Sequence, residues 1–408
     1  MPPRILLADC DQMFVAVARL VDPEGAGRAP LLVVGGRAES RGVVCSASYE
    51  VRAFGVRSGM PIARAARLCP EATFVPVPRH ACVEKSRAVR AVLERWAPRV
   101  AAASIDEFYL DLTGTEAVYR HEPLARTAER LRQDVLEATG LRLSVGGGTN
   151  RLVAKLAAER AKPRPGTDGT GVLVVTPGQE AVFLATHRLA EIPGVGPRLQ
   201  AGLEKYGLRT VPEALGIERG VLESWLGPRT GAWLYDRIRG RGGGEIGTDV
   251  GAKSMSHEET FARDLGTDDA LETELLRLVT RLAADLRKAG LRARCVTVKL
   301  RDHDFRTRQA SRTVPEPVDA DRVAYGVAVA LLRQLRARRR VPARLIGVAF
   351  SRFEDEREPQ LDLLADAVPA GGEANRDRRV AAVVDRVNRR FGRQALEPAR
   401  LKSGRRDR

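Results

Sequence analysis

The segment Val100-Ala101-Ala102-Ala103-Ser104-Ile105-Asp106-Glu107-Phe108-Tyr109-Leu110-Asp111-Leu112 decides how this chain is read. Two short apolar runs, Val100–Ser104 and Phe108–Leu112, flank an acidic tip, the pattern of a tight β-hairpin. Along a regular strand, neighbouring side chains face opposite ways. At a hairpin tip that alternation fails, so Asp106 and Glu107 can turn to one side. An isolated Asp-Glu more often caps a solvated turn, so its meaning depends on what the fold brings beside it.

Outward from the hairpin, the apolar strand Ile5-Leu6-Leu7-Ala8 ends in Asp9, with Asp11 two residues later. Residues 82–96 and 124–138 have helical periodicity, and 141–146 reads as a strand. A helix over 150–161 stops at Pro163, and strand 171–175 follows. With residues 10–78 set aside, the order is β-α-β-β-α-β, which predicts a ferredoxin-like α+β layer. Its first strand and the hairpin are then neighbours, so Asp9, Asp106 and Glu107 can meet at the sheet rim. Clustered carboxylates need a cation between them. Hard oxygen ligands on a half-open site suit Mg²⁺, and two such ions clamp both oxygens of an in-line phosphoryl transfer. The other acidic reading, a phosphatase-type D-x-D nucleophile at Asp9 and Asp11, matches poorly because Gln12-Met13 follows.

Within residues 10–78 the pattern predicts a helix at 14–20, strands at 31–34 and 42–46, and helices at 49–54 and 61–68. Residues 180–240 change to short helices and Gly-rich turns, and Arg239–Gly247 reads as a linker. A second α+β unit begins near Lys253, with strands at 255–261, 294–300, 308–314 and 344–350 and helices at 268–289 and 319–338. Residues 354–375 read as a polar linker. Arg376–Phe391 reads as an amphipathic helix with Val380, Val383, Val384, Val387 and Phe391 on one stripe, and 402–408 as disordered.

The 408 residues carry a net charge of +16, which favours a polyanionic partner, nucleic acid ahead of an anionic membrane. An Arg-biased composition produces the same excess, so charge alone decides little. The five cysteines are scattered without a C-x-x-C, against a zinc site or disulfide framework and in keeping with a reducing cytoplasm. No apolar run reaches membrane-spanning length, and the start has no signal-peptide pattern.

Several basic groups suit a triphosphate. Tyr49 and Arg52 lie three apart at a helix start, and Lys155 and Lys162 flank the helix ended by Pro163. Ile192-Pro193-Gly194-Val195-Gly196, between Leu189 and Leu199, is a helix-hairpin-helix signature whose Gly194 and Gly196 let the backbone approach a phosphate. Residues 287–312 hold nine basic side chains, among them Lys299, Arg301 and Arg308, against Asp302 and Asp304, a net of +7 that suits a sheet laid along a duplex.

These blocks together resemble a Y-family translesion DNA polymerase of the DNA polymerase IV type, from about Ile5 to Phe350. The resemblance rests on Asp9 to Phe14, Arg41 to Val44, Ala47 to Arg52, Phe54 to Pro61, Ser104 to Glu107, Tyr109 to Asp111, Asn150 to Pro163, Ile192 to Gly196, Lys253-Ser254 and Ser256 to Phe261. It implies template-directed synthesis in DNA damage tolerance and repair. Two Mg²⁺ would be held by Asp9, Asp106, Glu107 and the Cys10 carbonyl, with Phe14 as a steric gate against a ribose. Tyr49, Arg52 and Lys162 would hold the triphosphate. The implied domains are a palm (1–10 and 79–167), fingers (11–78), an all-α thumb (168–243) and an α+β little finger (253–352), followed by residues 353–408. In that last segment Gln360-Leu361-Asp362-Leu363-Leu364 resembles a sliding-clamp docking motif. Primer–template DNA, deoxynucleoside triphosphates and the clamp are the implied partners of a monomeric, cytoplasmic chain, nucleoid-associated when on DNA. Gln12, Met13 and Phe108 depart from the family's usual residues without removing a catalytic group. The runner-up is an inactive Y-family-like adaptor, which would lack the acidic set. A simple helix-hairpin-helix DNA-binding protein would leave Tyr49, Arg52 and the carboxylates unexplained.

Overall fold

β1 (Ile5–Cys10) is buried along its whole length, as a strand can be only with layers on both faces. The computed structural model describes residues 2–163, 169–242, 246, 251–355, 373–392 and 395–403. Its chain divides into two units, Met1–Asp249 and Val250–Arg408.

In the first unit β1 leads through α1 (Met13–Val21) to a small sheet of β2 (Leu32–Val34) and β3 (Ser46–Ala47). Next come α2 (Tyr49–Ala53), α3 (Ile62–Leu68) and β4 (Thr73–Val75), which pairs parallel to β2. The strand expected at 42–46 shrinks to two residues. Val44 gives its N–H to Met60 and Cys45 to Val34, so the segment's hydrogen bonds split between two partners instead of building one ladder. β4 was not anticipated, since three residues carry no periodicity.

The chain then forms α4 (Arg79–Trp96), β5 (Arg99–Ala102), β6 (Glu107–Asp111), α5 (Leu124–Thr139), β7 (Leu143–Gly148), α6 (Arg151–Ala161) and β8 (Val172–Val174). The large sheet has the order β5-β6-β1-β7-β8, the ferredoxin-like arrangement with one added strand. Period-two alternation divides β1 between two layers. Leu6, Ala8 and Cys10 pack with α4 and α5, whereas Ile5 and Leu7 pack with Ala154 and Ala158 of α6.

Gly146 sets how close α6 comes. A Cβ there would lie 2.0 Å from the Ala158 nitrogen and 2.1 Å from the Ala154 oxygen. Helix and strand therefore touch backbone to backbone. Asn150 caps the helix by accepting the Val153 N–H at 3.0 Å, and Pro163 follows its end.

An all-helical region follows: α7 (Glu180–Ala185), a 3-10 turn at Leu189–Glu191, α8 (Pro197–Glu204), α9 (Val211–Leu215), α10 (Arg219–Leu226) and α11 (Pro228–Arg237). Its core of Leu184, Ile192, Leu203, Leu222 and Leu234 also takes in Leu152 and Leu156 of α6.

The second unit comprises β9 (Ser254–Leu265), α12 (Asp268–Lys288), β10 (Leu291–Asp302), β11 (Thr307–Val318), α13 (Asp321–Arg338), β12 (Ala343–Asp355), α14 (Glu373–Phe391) and α15 (Ala399–Ser403). Its antiparallel sheet, β11-β10-β12-β9, is covered on one face by α12 and α13. Two expectations need correcting. Lys402 and Ser403, expected disordered, belong to α15. The apolar stripe predicted for α14 forms its docked side only in part: Val380, Val383 and Phe391 are exposed by 55%, 51% and 69%, Val384 and Val387 are half-buried, and Ala381 is buried. Ion pairs decide the orientation instead. Gln360–Leu364 lies outside the described residues.

Because the Gly146 contact is backbone against backbone, Gly146→Ala must push α6 off the sheet, an overpacking cost of about 2 kcal/mol or more. A melting temperature several degrees below wild type is the expected result, and an unchanged one would show that the helix can yield freely.

Candidate active site

The β1 register carries the acidic residues to one place. Asp9 pairs directly with Glu107 of β6 on one side and with Ser144 of β7 on the other. Lying in the same alternation as Ile5 and Leu7, Asp9 belongs to the α6 side of the sheet. Asp106 sits in the bend before β6, where its carbonyl accepts the Cys10 N–H at 2.9 Å. Ser104 fixes that bend. Its hydroxyl donates to the Asp106 carboxylate and accepts the N–H groups of Asp106 at 3.2 Å and Glu107 at 3.1 Å.

Two lysines of the α6 segment balance this charge. Lys155 Nζ bonds both Glu107 oxygens, at 2.6 and 2.8 Å, and Lys162 Nζ lies 2.8 Å from Asp9 and 2.8 Å from Glu159. Asp9 is only 7% exposed. Burial, with the Glu107 and Asp106 charges added, pushes its carboxyl up to about 6 even though Lys162 pulls the other way. For Lys162, burial works against the ammonium, but the Asp9 and Glu159 charges outweigh it and hold the group protonated above its usual range.

Among the described residues no three His, Cys, Asp or Glu side chains form a ready metal cluster. Each carboxylate is held instead by a lysine or by Ser104. The donor set is nonetheless hard oxygen throughout, which fits a divalent cation of the Mg²⁺ class. Asp11 turns elsewhere: its Oδ1 accepts the Ser144 hydroxyl at 2.7 Å, as suits a residue outside the expected ligand set.

The small-sheet region contributes Tyr49 and Arg52 from α2. The Arg52 guanidinium lies 5.0 Å from the Tyr49 ring centroid, and its Nε donates to the Ala47 carbonyl at 2.9 Å. Burial raises the Tyr49 hydroxyl, the Asp11 charge adds to that, and Arg52 and Lys162 oppose it. Tyr49 thus lies within electrostatic reach of both groups expected to share a triphosphate with it. Phe14 stands half-buried on α1, just after Gln12, whose φ of 48° is left-handed. Met13 and Phe108 are buried in the α4–α5 layer, so these two departures concern packing. A cavity of about 830 Å³ opens beside Asp9, lined by Lys155, Glu159, Lys162, His187 and Glu191 among others.

The remaining expected residues are carried by other elements. Gly194, with φ 105°, turns the chain before α8, and a Cβ on it would meet the Trp233 ring at 2.5 Å, so glycine is required twice over. Gly196 is the residue before α8 and has nothing within 4 Å of its Cβ position. In the second unit Lys299 and Arg301 pair with Gln309 and Thr307 on the uncovered sheet face, where Lys299 also meets Glu258. Arg308 must be corrected. It pairs with Leu300, hence faces the helix layer, where it lies 2.7 Å from the fully buried Asp302 and donates to the Leu335 carbonyl. It is structural, as is Arg287, which is held by Asp321 and Asp385. Ser104 was read in the sequence only as part of its block, and Ser144 not at all, because single serines carry no signal of a role until the register places them.

Comparison with known proteins agrees with this geometry. Residues 8–159 match the impB/mucB/samB family, 190–241 the thumb domain of DNA polymerase-iota, and 252–363 the impB/mucB/samB family C-terminal domain. A DNA polymerase IV from Dehalococcoides mccartyi (strain CBDB1) is 32% identical over 397 residues, covering 97% of each chain. Among solved structures, a Y-family DNA polymerase chimera of Dbh and Dpo4 shares the fold, with TM-score 0.75 at 24% identity over 86% of this chain and 99% of its own. An insertion ternary complex of Dbh DNA polymerase gives TM-score 0.59 at 25% identity, over 85% and 98%. The chain belongs to the Y-family DNA polymerases, among relatives named DNA polymerase IV.

Proposed function

We propose that this DNA-directed DNA polymerase extends primer ends across damaged templates with Mg²⁺, using Asp9, Asp106 and Glu107 as its metal-holding set. The observation that carries the proposal is the cross-strand pair of Asp9 and Glu107, with Asp106 beside it and lysines as interim counter-charges. With the Cys10 carbonyl, the three carboxylates would hold two ions. When bound, such ions neutralise charge on the attacking and leaving oxygens of an in-line displacement.

The chain's own groups do the rest. Arg52 and Lys162 hold the triphosphate, and the Tyr49 hydroxyl donates to a phosphate oxygen. The Phe14 ring occupies the space a ribose 2′-hydroxyl would need. Lys155 and Lys162 keep the carboxylates from repelling one another between turnovers. In domain terms, 1–10 with 79–167 is the palm, 11–78 the fingers, 168–243 the thumb and 253–352 the little finger. Gly194 and Gly196 let the thumb backbone approach phosphates, and Lys299 and Arg301 meet the duplex from the open sheet face. Gln360–Leu364 serves as a sliding-clamp tether for a monomeric enzyme working in the cytoplasm, on the nucleoid when engaged. No described helix is long and apolar enough to cross a membrane. No observation favours the inactive-adaptor reading, since the acidic set is whole.

Primer extension tests the site. Asp106→Ala is expected to reduce Mg²⁺-dependent incorporation by at least about a thousandfold; extension that survives would remove Asp106 from the ligands. Phe14→Ala should admit ribonucleotides at least about tenfold better, a change of about 1.4 kcal/mol in discrimination. Unchanged sugar selectivity would refute the gate.

A stability measurement probes the charge balance separately. The folded pKa of Asp9 is raised from 3.8 to about 6, so its contribution is fully present below pH 3.8 and lost as pH rises through 6. In metal-free protein, Asp9→Asn should therefore be more stable than wild type at pH 7.5, by up to about 3 kcal/mol. The advantage should shrink toward pH 5. Parallel stability curves would mean that Lys162 already compensates the ionised carboxylate.

A further inference from the structure

α14 wears its charges asymmetrically. Its two described acids face the domain. Asp385 receives Arg287 in a two-point pair, at 2.7 and 2.8 Å, and Asp377 lies 3.6 Å from Arg322. Arg378 reaches inward to Asp319 at 3.0 Å, and Ala381 is buried between these pairs. A helical period of 3.6 residues sets this inner face opposite one carrying Arg376, Arg379, Arg386 and Arg390, while Arg389 lies beside the inner face. All five are exposed, and none makes an ion pair among the described residues. Arginine bias in the composition accounts for their number but not for their segregation.

We propose that this outer face of α14 is a second DNA-binding surface, gripping the phosphate backbone of DNA beyond the primer–template duplex held at the active site. Its charge complements a polyanion with no acid among the described residues of that face to offset it, and the chain's own reaction brings DNA to this unit. From Arg376 to Arg390 the helix rises about 21 Å, the length of about six phosphates along one strand. Guanidinium groups spaced in this way hold backbone without reading sequence. The surface is distinct from the one bearing Lys299 and Arg301, since α14 docks by the helix layer and those residues lie on the uncovered sheet face. The Arg287–Asp385 pair fixes which side of α14 is presented. It is part-buried and bidentate, so it holds orientation better than an exposed pair would.

The test uses the full chain, the variant R376E/R379E/R386E/R390E, and the matching glutamine variant. Binding is measured across a salt series to two primer–templates, one just long enough for a single active site and one several helical turns longer. On the longer DNA, wild type should bind more tightly and with steeper salt dependence. Both variants should lose about 3 units of slope in log affinity against log salt there, and at least about tenfold in affinity. Binding and nucleotide incorporation on the short DNA should be unchanged, as should the melting temperature. Slopes equal to wild type on the longer DNA would overturn the proposal. So would equal losses on both DNAs, because the arginines would then belong to general attraction or to folding. The glutamine variant guards against the new charges of the glutamate variant acting alone.

Discussion

A carboxylate driven into the rim of a buried sheet must find a counter-charge, and that demand organises the first unit. Asp9 is 7% exposed and directly opposite Glu107, an arrangement costing several kcal/mol if left unbalanced. Lys155 and Lys162 meet the demand only because α6 lies in backbone contact with β7. That contact exists only because residue 146 has no side chain. A glycine with no chemistry of its own thus sets the spacing between the two lysines and the carboxylates they pair with.

The second unit solves a related problem with arginine. Asp302 is fully buried, with Arg308 at 2.7 Å and Arg339 at 2.6 Å. Arg336 reaches Asp268 at 2.6 Å, and Arg287 joins α12 to α14 through Asp385. Planar guanidinium groups satisfy several acceptors at once, which suits positions where helix ends and strand ends meet. A large part of the positive charge is therefore structural, and counting basic residues overstates what is available to DNA. Part of what remains outward lies on two faces: the uncovered sheet face with Lys299 and Arg301, and the exposed side of α14.

The helical region between these parts illustrates a different economy. Gly194 must be glycine both for its φ of 105° and for the Trp233 ring against it, so turn geometry and packing select the same residue. Leu152 and Leu156 of α6 complete that region's core. The helix that carries the lysines to the carboxylates is thus also a helix on which the region with the Gly194 turn is built.

Much of this was legible in the sequence. Strand-end Asp9, the acidic hairpin, the short-helix region with its Pro-Gly-Val-Gly turn, and most of the order of elements follow from local periodicity and turn chemistry, β4 excepted. Those signals live within a dozen residues of one another, which is why they survive without an alignment. Register was not legible. Arg308 and Arg301 look equivalent in a basic run, yet pairing with Leu300 turns one into the helix layer, and pairing with Thr307 leaves the other on the open face. The apolar stripe of α14 misled for a similar reason, because part-buried ion pairs through Asp385 and Arg378 hold its docked side while Val380 and Val383 stay exposed. Ser104 and Ser144 gained roles only from the strands beside them. The sequence by itself determined which elements form and which side chains could do chemistry, since both depend on short-range pattern. Only the tertiary structure decided which carboxylates meet, which lysines balance them and which arginines stay free for a partner, because strand register and close packing depend on residues far apart in the chain.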